Sequence, residues 1–278
     1  MIKQLLVGLG ESEYARSAVE YACDLAEMHN AKVIGLSVAN IPAIEETYHT
    51  PRPLGAGSAD AELYKKSLED ARAKSEQALS EFEKVCQARG VSYEGRKQEG
   101  RPTELILKAA STSDLVILGR KSRFTCWLPE DRFDDVCSEV IEHSLRPMIL
   151  VPKEHRQIKK LMIALDFQRL SDRLYFNFIH LNPYPQAEVH LVHANVGGKD
   201  KEFPPEIVDY FTMHGFKVKS AVLVGEHAGQ ALVNYAQTND VDMVVMGVHS
   251  MSKILKALLG STGRYVLNHL ELPVYTQS

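Results

Sequence analysis

The sequence predicts an α/β fold in which one doubly wound domain occurs twice, each copy a mostly parallel sheet with helices on both faces. Three observations carry the prediction. Segments recur in the same order along both halves. Val140–Pro147 (VIEHSLRP) aligns without gaps to Val266–Pro273 (VLNHLELP), Asp114–Ser122 (DLVILGRKS) matches Asp242–Ser250 (DMVVMGVHS), and Leu36–Asn40 (LSVAN) matches Leu191–Asn195 (LVHAN). Short apolar runs alternate with helical segments, the sign of βαβ units. Finally, Leu115–Leu118 and Met243–Met246 are apolar without alternation, as strands buried on both faces of a parallel sheet are.

The elements follow in order. A first strand (Gln4–Leu9; Lys160–Leu165) leads into a helix (Tyr14–His29; Ser171–Leu181) and a second strand (Lys32–Val38; Glu188–His193). Another helix, a third strand near Val91–Arg96 or Lys217–Val224, and a third helix precede the apolar fourth strand. A last helix and a short strand (Met148–Val151; Val274–Thr276) close each unit. Right-handed crossovers then give five strands per sheet, expected in the order 3-2-1-4-5 of Rossmann-like folds. The polar segment Lys153–Lys159 holds the boundary, dividing the chain into residues 1–153 and 154–278. The first half carries about 30 extra residues between its second and third strands. Of these, Ile41–Ala59 is rich in Pro and Gly and reads as a long loop, with a lid over the first half's pocket as one role. Ala61–Gly90 places Leu68, Ala71, Leu79, Phe82 and Cys86 at helical spacing and reads as an amphipathic helix on the sheet.

Composition narrows the function. At 278 residues, 45% hydrophobic and 24% charged, the chain suits two ordinary globular domains without stapling. A net charge of −4 provides no basic footprint for nucleic acid and no polybasic membrane patch. Cys23, Cys86, Cys126 and Cys137 all fall in the first half, none in a C-x-x-C pair. That pattern suits neither a disulfide framework nor a zinc ribbon and points to buried or free thiols in a reducing compartment. The opening apolar run is too short for a signal segment, and no stretch approaches the roughly 20 apolar residues of a membrane span, so the expected location is cytoplasmic.

In open α/β sheets, ligands bind beyond the carboxyl ends of the strands where chain order reverses. In the second half that crevice is lined by Asp166, after the first strand, and Gly247, after the fourth. Gly247-Val248-His249-Ser250 is followed by nine residues and then Gly260-Ser261-Thr262, which opens the last helix. Gly247 and Gly260 let backbone approach a ligand closely. Ser261 and Thr262 add hydroxyl donors to a helix N-terminus, where free N–H groups and the dipole favour phosphate. Asp166, an acceptor-only carboxylate, suits a ribose hydroxyl or an adenine amine. Plainer readings stay open: Asp166 and Ser261 each suit a helix cap, and His249 suits a solvent-facing loop.

The pattern G-x-x-S-x9-G-S-T after an apolar strand resembles the signature of the universal stress protein family, G-x-x-G-x9-G-S/T, with Ser250 in place of the second glycine. Asp166 at the end of the first strand and Pro273-Val274 at the final one extend the resemblance, which covers almost the whole chain as a tandem pair. The resemblance implies a cytoplasmic stress-response protein that binds ATP or a related adenine nucleotide, with or without Mg2+, in its second domain. Adenine would lie near Asp166 and Ala194, and the phosphates would run past Gly247, His249 and Ser250 to Gly260, Ser261 and Thr262. It also implies pairing of two such domains through their last strands, here Met148–Val151 and Val274–Thr276, which covers two sheet edges. No Walker-type lysine or positioned general base is present, so the expected role is regulatory, with at most slow ATP hydrolysis.

The first half departs from the pattern. Gly10 stands where the second half has Asp166, and the phosphate turn aligns with Arg132-Phe133 or with Asp134-Asp135. Neither keeps the glycine and hydroxyl, and carboxylates repel phosphate, so no nucleotide site is expected there. Gly8-Leu9-Gly10-Glu11-Ser12-Glu13 mimics a dinucleotide fingerprint, but Glu13 replaces its third glycine. Arg120, Lys121, Arg123 and Trp127 offer either a crevice for a different anionic small molecule or a solvated basic loop. His190 and His193, three apart on a strand, face opposite sides and do not share a metal. Two competing readings are a nucleotide-free scaffold, with an unidentified protein partner or further self-association, and an enzyme in the first half.

Overall fold

The computed structural model describes residues 1–10, 13–49, 59–122, 124, 136–166, 169–196, 202–225, 227–247 and 261–277. Its strands are β1 (Gln4–Leu9), β2 (Lys32–Ala39), β3 (Ser92–Glu99), β4 (Leu115–Gly119), β5 (Met148–Val151), β6 (Lys160–Ala164), β7 (Glu188–Val196), β8 (Lys217–Gly225), β9 (Met243–Val245) and β10 (Val274–Thr276). The described helices are α1 (Glu13–His29), α2 (Ile41–His49), α3 (Ala59–Arg89), α4 (Pro102–Ala110), α5 (Val136–His143), α6 (Arg169–Leu181), α7 (Pro205–Met213), α8 (Ala228–Thr238) and α9 (Ser261–His269). No described helix is long and apolar enough to cross a membrane.

The strands form one sheet of ten, in the order β3-β2-β1-β4-β5-β10-β9-β6-β7-β8. Pairing is parallel within each half, and the halves join through the antiparallel pair β5–β10, with Leu150 opposite Val274 and Met148 opposite Thr276. Two edges that would otherwise expose unpaired N–H and C=O groups cover each other. The two five-stranded sheets are therefore halves of a single continuous one.

The join also shapes the core. One face carries a single apolar cluster through both halves, including Val19, Phe82, Ile149, Phe178, Phe211 and Tyr275. On the other face the core splits, with Ile106 and Val140 in one cluster and Leu232 and Val266 in the second. Helices therefore cover both faces, with α1, α3, α6 and α7 on the shared side.

The repeated aspartates have a shared structural task. Asp114 Oδ2 accepts backbone N–H bonds from Lys3 (2.7 Å) and Gln4 (2.9 Å), and Asp242 Oδ2 accepts the equivalent pair from Lys159 and Lys160 (both 2.9 Å). Each satisfies donors at a strand entrance, where no neighbouring carbonyl reaches.

Register corrects one of the sequence matches. Leu5 pairs with Val33 and Leu161 with Val189, so Leu36 is equivalent to Val192 rather than Leu191. The one-residue difference matters because it reverses the face. Leu36 lies in the split side of the core, whereas Leu191 lies in the shared side. The LSVAN and LVHAN similarity is thus offset by one position from the true structural repeat.

The segment read as a loop begins with a helix. In α2, Asn40 Oδ1 accepts from the Ala43 N–H at 3.3 Å, and Pro42 sits in the first turn, where its missing N–H costs nothing. Ile44 is fully buried with Ala71, against Tyr48, Tyr64 and Leu68. Apart from Pro42, the Pro and Gly residues that signalled a loop lie at 51–57, outside the described residues. A lid formed by that segment falls there as well. α3 occupies the predicted amphipathic span and ends before Gly90, whose φ of +65° favours glycine.

Charge ties α3 to α1. Arg89 reaches Glu27 (2.7 Å), Asp24 (2.8 Å) and Glu20 (3.2 Å), and His155 Nε2 also meets Asp24 at 2.7 Å. Burial works to raise the Asp24 carboxyl, but hydrogen bonds from His155 and Arg89 outweigh it and hold the group below its ordinary value. A carboxyl depressed in the fold stabilises above its unfolded pKa and loses that contribution as pH falls through the folded one. Asp24→Asn is therefore expected to lower stability by about 1 kcal/mol at neutral pH, after allowance for screening. Urea midpoints of the native chain and variant should converge as pH falls below about 4. A gap independent of pH would contradict this assignment.

Candidate functional site

The second-half site is assembled by strand register. Ala164 pairs with Val192 and Ile163 with Val245, so Asp166 continues to the level of Ala194, and Leu165 to that of Gly247. All lie at the carboxyl end of the sheet, with β6 between β7 and β9. Alternation beyond Met162 and Ala164, which pack on the second-half cluster, directs Asp166 to the face covered by α8 and α9. Asp166 is exposed, and Ala194 and Gly247 are half-buried.

The crossover from β9 to the parallel β10 brings the N-terminus of α9 back to this same edge. Ser261 opens that helix, and Thr262 is half-buried in its first turn. The helix is held by close approach to α8. A Cβ on Gly229 would stand 2.7 Å from Tyr265 Cβ, and the Tyr265 hydroxyl donates to Gln230 Oε1. His249, Ser250 and Gly260 lie outside the described residues, as does the side chain of Ser261. The register thus sets Asp166, Ala194, Gly247 and the helix start carrying Thr262 toward the same end of the second half's sheet.

His193, set aside in the sequence as a metal ligand, has a structural task near this edge. His193 Nδ1–H donates to the Leu165 carbonyl at 2.8 Å, tying the end of β7 to the residue before Asp166. His190 is buried on the opposite side, where its Nε2–H donates to Glu188 Oε1 and its Nδ1 accepts from the Tyr235 hydroxyl, both at 3.0 Å. Among the described residues no group of three His, Cys, Asp or Glu side chains comes together to hold a metal.

The first half treats the equivalent edge differently. Gly119 occupies the place of Gly247, but a Cβ there would lie 2.7 Å from Ser122 Oγ and 3.0 Å from the Tyr14 backbone carbon, and nearer still to Tyr14 Cβ. The start of α1 therefore sits directly on the end of β4. Ser122 and Phe124 are buried beside it, and Cys137 Sγ–H donates to the Gly119 carbonyl at 3.2 Å. Among the described residues, none lies within 4 Å of a Cβ built on Gly247.

Arg120 corrects the reading of an anion crevice in the first half. Its guanidinium crosses to the second half and donates to the carbonyls of Leu267 (3.0 Å), Leu270 (2.8 Å) and Leu272. A helix C-terminus leaves carbonyls without intrahelical donors and carries the negative end of the dipole, so a cation suits it. Burial lowers the pKa of Arg120 from its ordinary value, yet a guanidinium stays charged. Lys121 remains exposed, and Arg123 and Trp127 lie outside the described residues.

With this geometry in place, comparison with known proteins becomes informative. The model of the universal stress protein family matches residues 1–152 and 210–276. The chain belongs to the universal stress protein family. The matched stretches take in Gly247 and Gly260–Thr262, while Asp166 and Ala194 fall between them. Universal stress protein Slr1230 of Synechocystis sp. is 25% identical over 291 aligned positions, covering 99% of each chain. Among solved structures, a universal stress protein from Archaeoglobus fulgidus superposes with a TM-score of 0.72 at 19% identity, covering 99% of this chain and 96% of that one. A functionally unknown protein from Pseudomonas aeruginosa reaches 0.58 at 15% identity, over 99% and 92% of the two chains. At these identities the structural likeness establishes the fold.

Proposed function

We propose that this family member is a cytoplasmic stress-response protein that binds ATP or a related adenine nucleotide in its second half. Residues 154–278 form the binding unit and residues 1–153 its structural partner. The observation that carries this reading is the strand register, which supports setting Asp166, Ala194, Gly247 and the start of α9 at the same end of the second half's sheet. Among the described residues nothing lies within 4 Å of a Cβ built on Gly247, whereas Tyr14 and Ser122 crowd Gly119. Asp166 and Ala194, level with each other on the neighbouring strands, supply an acceptor and an apolar surface for an adenosine group. The α9 N-terminus with Thr262 supplies backbone donors for phosphate, and His249, Ser250, Gly260 and Ser261 complete the phosphate path in the sequence pattern. Mg2+ would enter with the phosphates, and this reading assigns it no protein ligand. With no Walker-type lysine, nucleotide occupancy acts by biasing conformation or partner choice rather than by rapid turnover.

Calorimetric titration with ATP tests the assignment. The native chain is expected to bind, and Asp166→Ala to bind about 10- to 100-fold more weakly, as loss of a charged hydrogen-bond acceptor predicts. Gly260→Asp places a carboxylate in the phosphate path and should abolish binding. Equal affinity in the native chain and both variants moves the ligand to another place, and no binding by the native chain removes the reading.

A further inference from the structure

Two thiols on different helices meet inside the first half. Cys23, from α1, and Cys86, from α3, are both fully buried, with their sulfurs 3.9 Å apart. A disulfide needs about 2.05 Å, so a sulfur approach of about 2 Å separates contact from bond. Ordinary core packing places apolar groups around a cysteine. Both thiols lie in the shared apolar cluster, and in addition each sulfur has the other as a hydrogen-bonding neighbour.

A groove of about 670 Å³ runs between the same two helices from the end of β1. Its apolar floor includes Val19 and Phe82, each four residues before one of the thiols, and Val85, adjacent to Cys86. Arg16, Lys74 and Lys84 stand along its exposed sides. A small uncharged oxidant entering this groove comes within a helical turn of both cysteines.

We infer that Cys23 and Cys86 are an oxidative modification site, closed by a peroxide into a disulfide that locks α1 onto α3. One sulfur attacks a peroxide oxygen, the O–O bond breaks, and a sulfenic acid and one water form from hydrogen peroxide. The second sulfur attacks that sulfenic sulfur, forming the S–S bond and expelling a second water. The two thiols lose two electrons and two protons, and the peroxide is reduced to water. Either sulfur can donate in the contact, so either thiol can act first, and burial works against ionising both. The bond would close a long loop of chain, a constraint that stabilises the fold.

The test uses the full chain, folded, exposed to hydrogen peroxide and then denatured and alkylated. The intact mass is expected to fall by two hydrogens, with two of the four thiols lost to alkylation. Proteolysis without reductant should yield a linked pair of peptides containing Cys23 and Cys86. The thermal midpoint should rise on oxidation and return with dithiothreitol, whereas Cys86→Ala should show neither the mass loss nor the rise. Oxygen adducts without a cross-link overturn the inference, as do cross-links through Cys126 or Cys137. So do thiols left unreacted under conditions that oxidise free cysteine.

Discussion

Gly119→Val is expected to lower unfolding free energy by about 2–3 kcal/mol or more, while Gly247→Val leaves it within about 0.5 kcal/mol of the native chain. Neither glycine has a left-handed φ, so backbone strain does not distinguish them. Space does. A side chain on residue 119 drives into Tyr14, including its backbone, and α1 must move off the sheet. A side chain on residue 247 meets no atom of the described residues within 4 Å of its Cβ. Under the nucleotide reading that space is the ligand's, and Gly247→Val should weaken ATP binding at least 10-fold while remaining folded. Urea unfolding and ATP titration on the same two variants check both halves of the prediction. A stable Gly247→Val protein that binds ATP like the native chain would contradict the site, and a destabilised one would contradict the packing argument.

The second large effect concerns the seam between the halves. Arg120→Met preserves length and apolar stem but removes the donors to the carbonyls of Leu267, Leu270 and Leu272. Hydrogen bonds from a charged group are worth about 1.5–3 kcal/mol, and buried carbonyls left unpaired add to the loss. The expected decrease is about 3 kcal/mol, read as a fall in the urea midpoint. Arg120→Lys should recover only part of it, because an ammonium does not reproduce the guanidinium fork. Full stability in Arg120→Met would show that other donors or water satisfy these carbonyls.

These two residues also illustrate what was legible in the chain. Gly119 and Gly247 looked alike in sequence, as members of DLVILG and DMVVMG. The crowding of Gly119 arises from Tyr14, more than a hundred residues away along the chain, and no local pattern records that contact. Arg120 read either as a crevice residue or as part of a solvated basic loop, because it follows a strand in a crevice position. It is a seam residue because the antiparallel β5–β10 join brings the end of α9 to the end of β4. Cys23 and Cys86 were correctly read as free thiols, but only helix packing puts their sulfurs in contact.

The sequence by itself determined the alternation of strands and helices, the repeat, the buried parallel strands and the pattern of a phosphate-binding helix start. Each depends on residues close in the chain or on a hydrophobic period. Tertiary structure alone decided the register of the repeat, because a one-residue slip preserves local similarity while reversing which face every side chain meets. It also decided that α2 is a helix, since Ile44 gains its burial from α3 rather than from its neighbours. Above all it decided that Gly119 is crowded by Tyr14 and Ser122, because whether a glycine leaves space depends on what the rest of the chain packs against it.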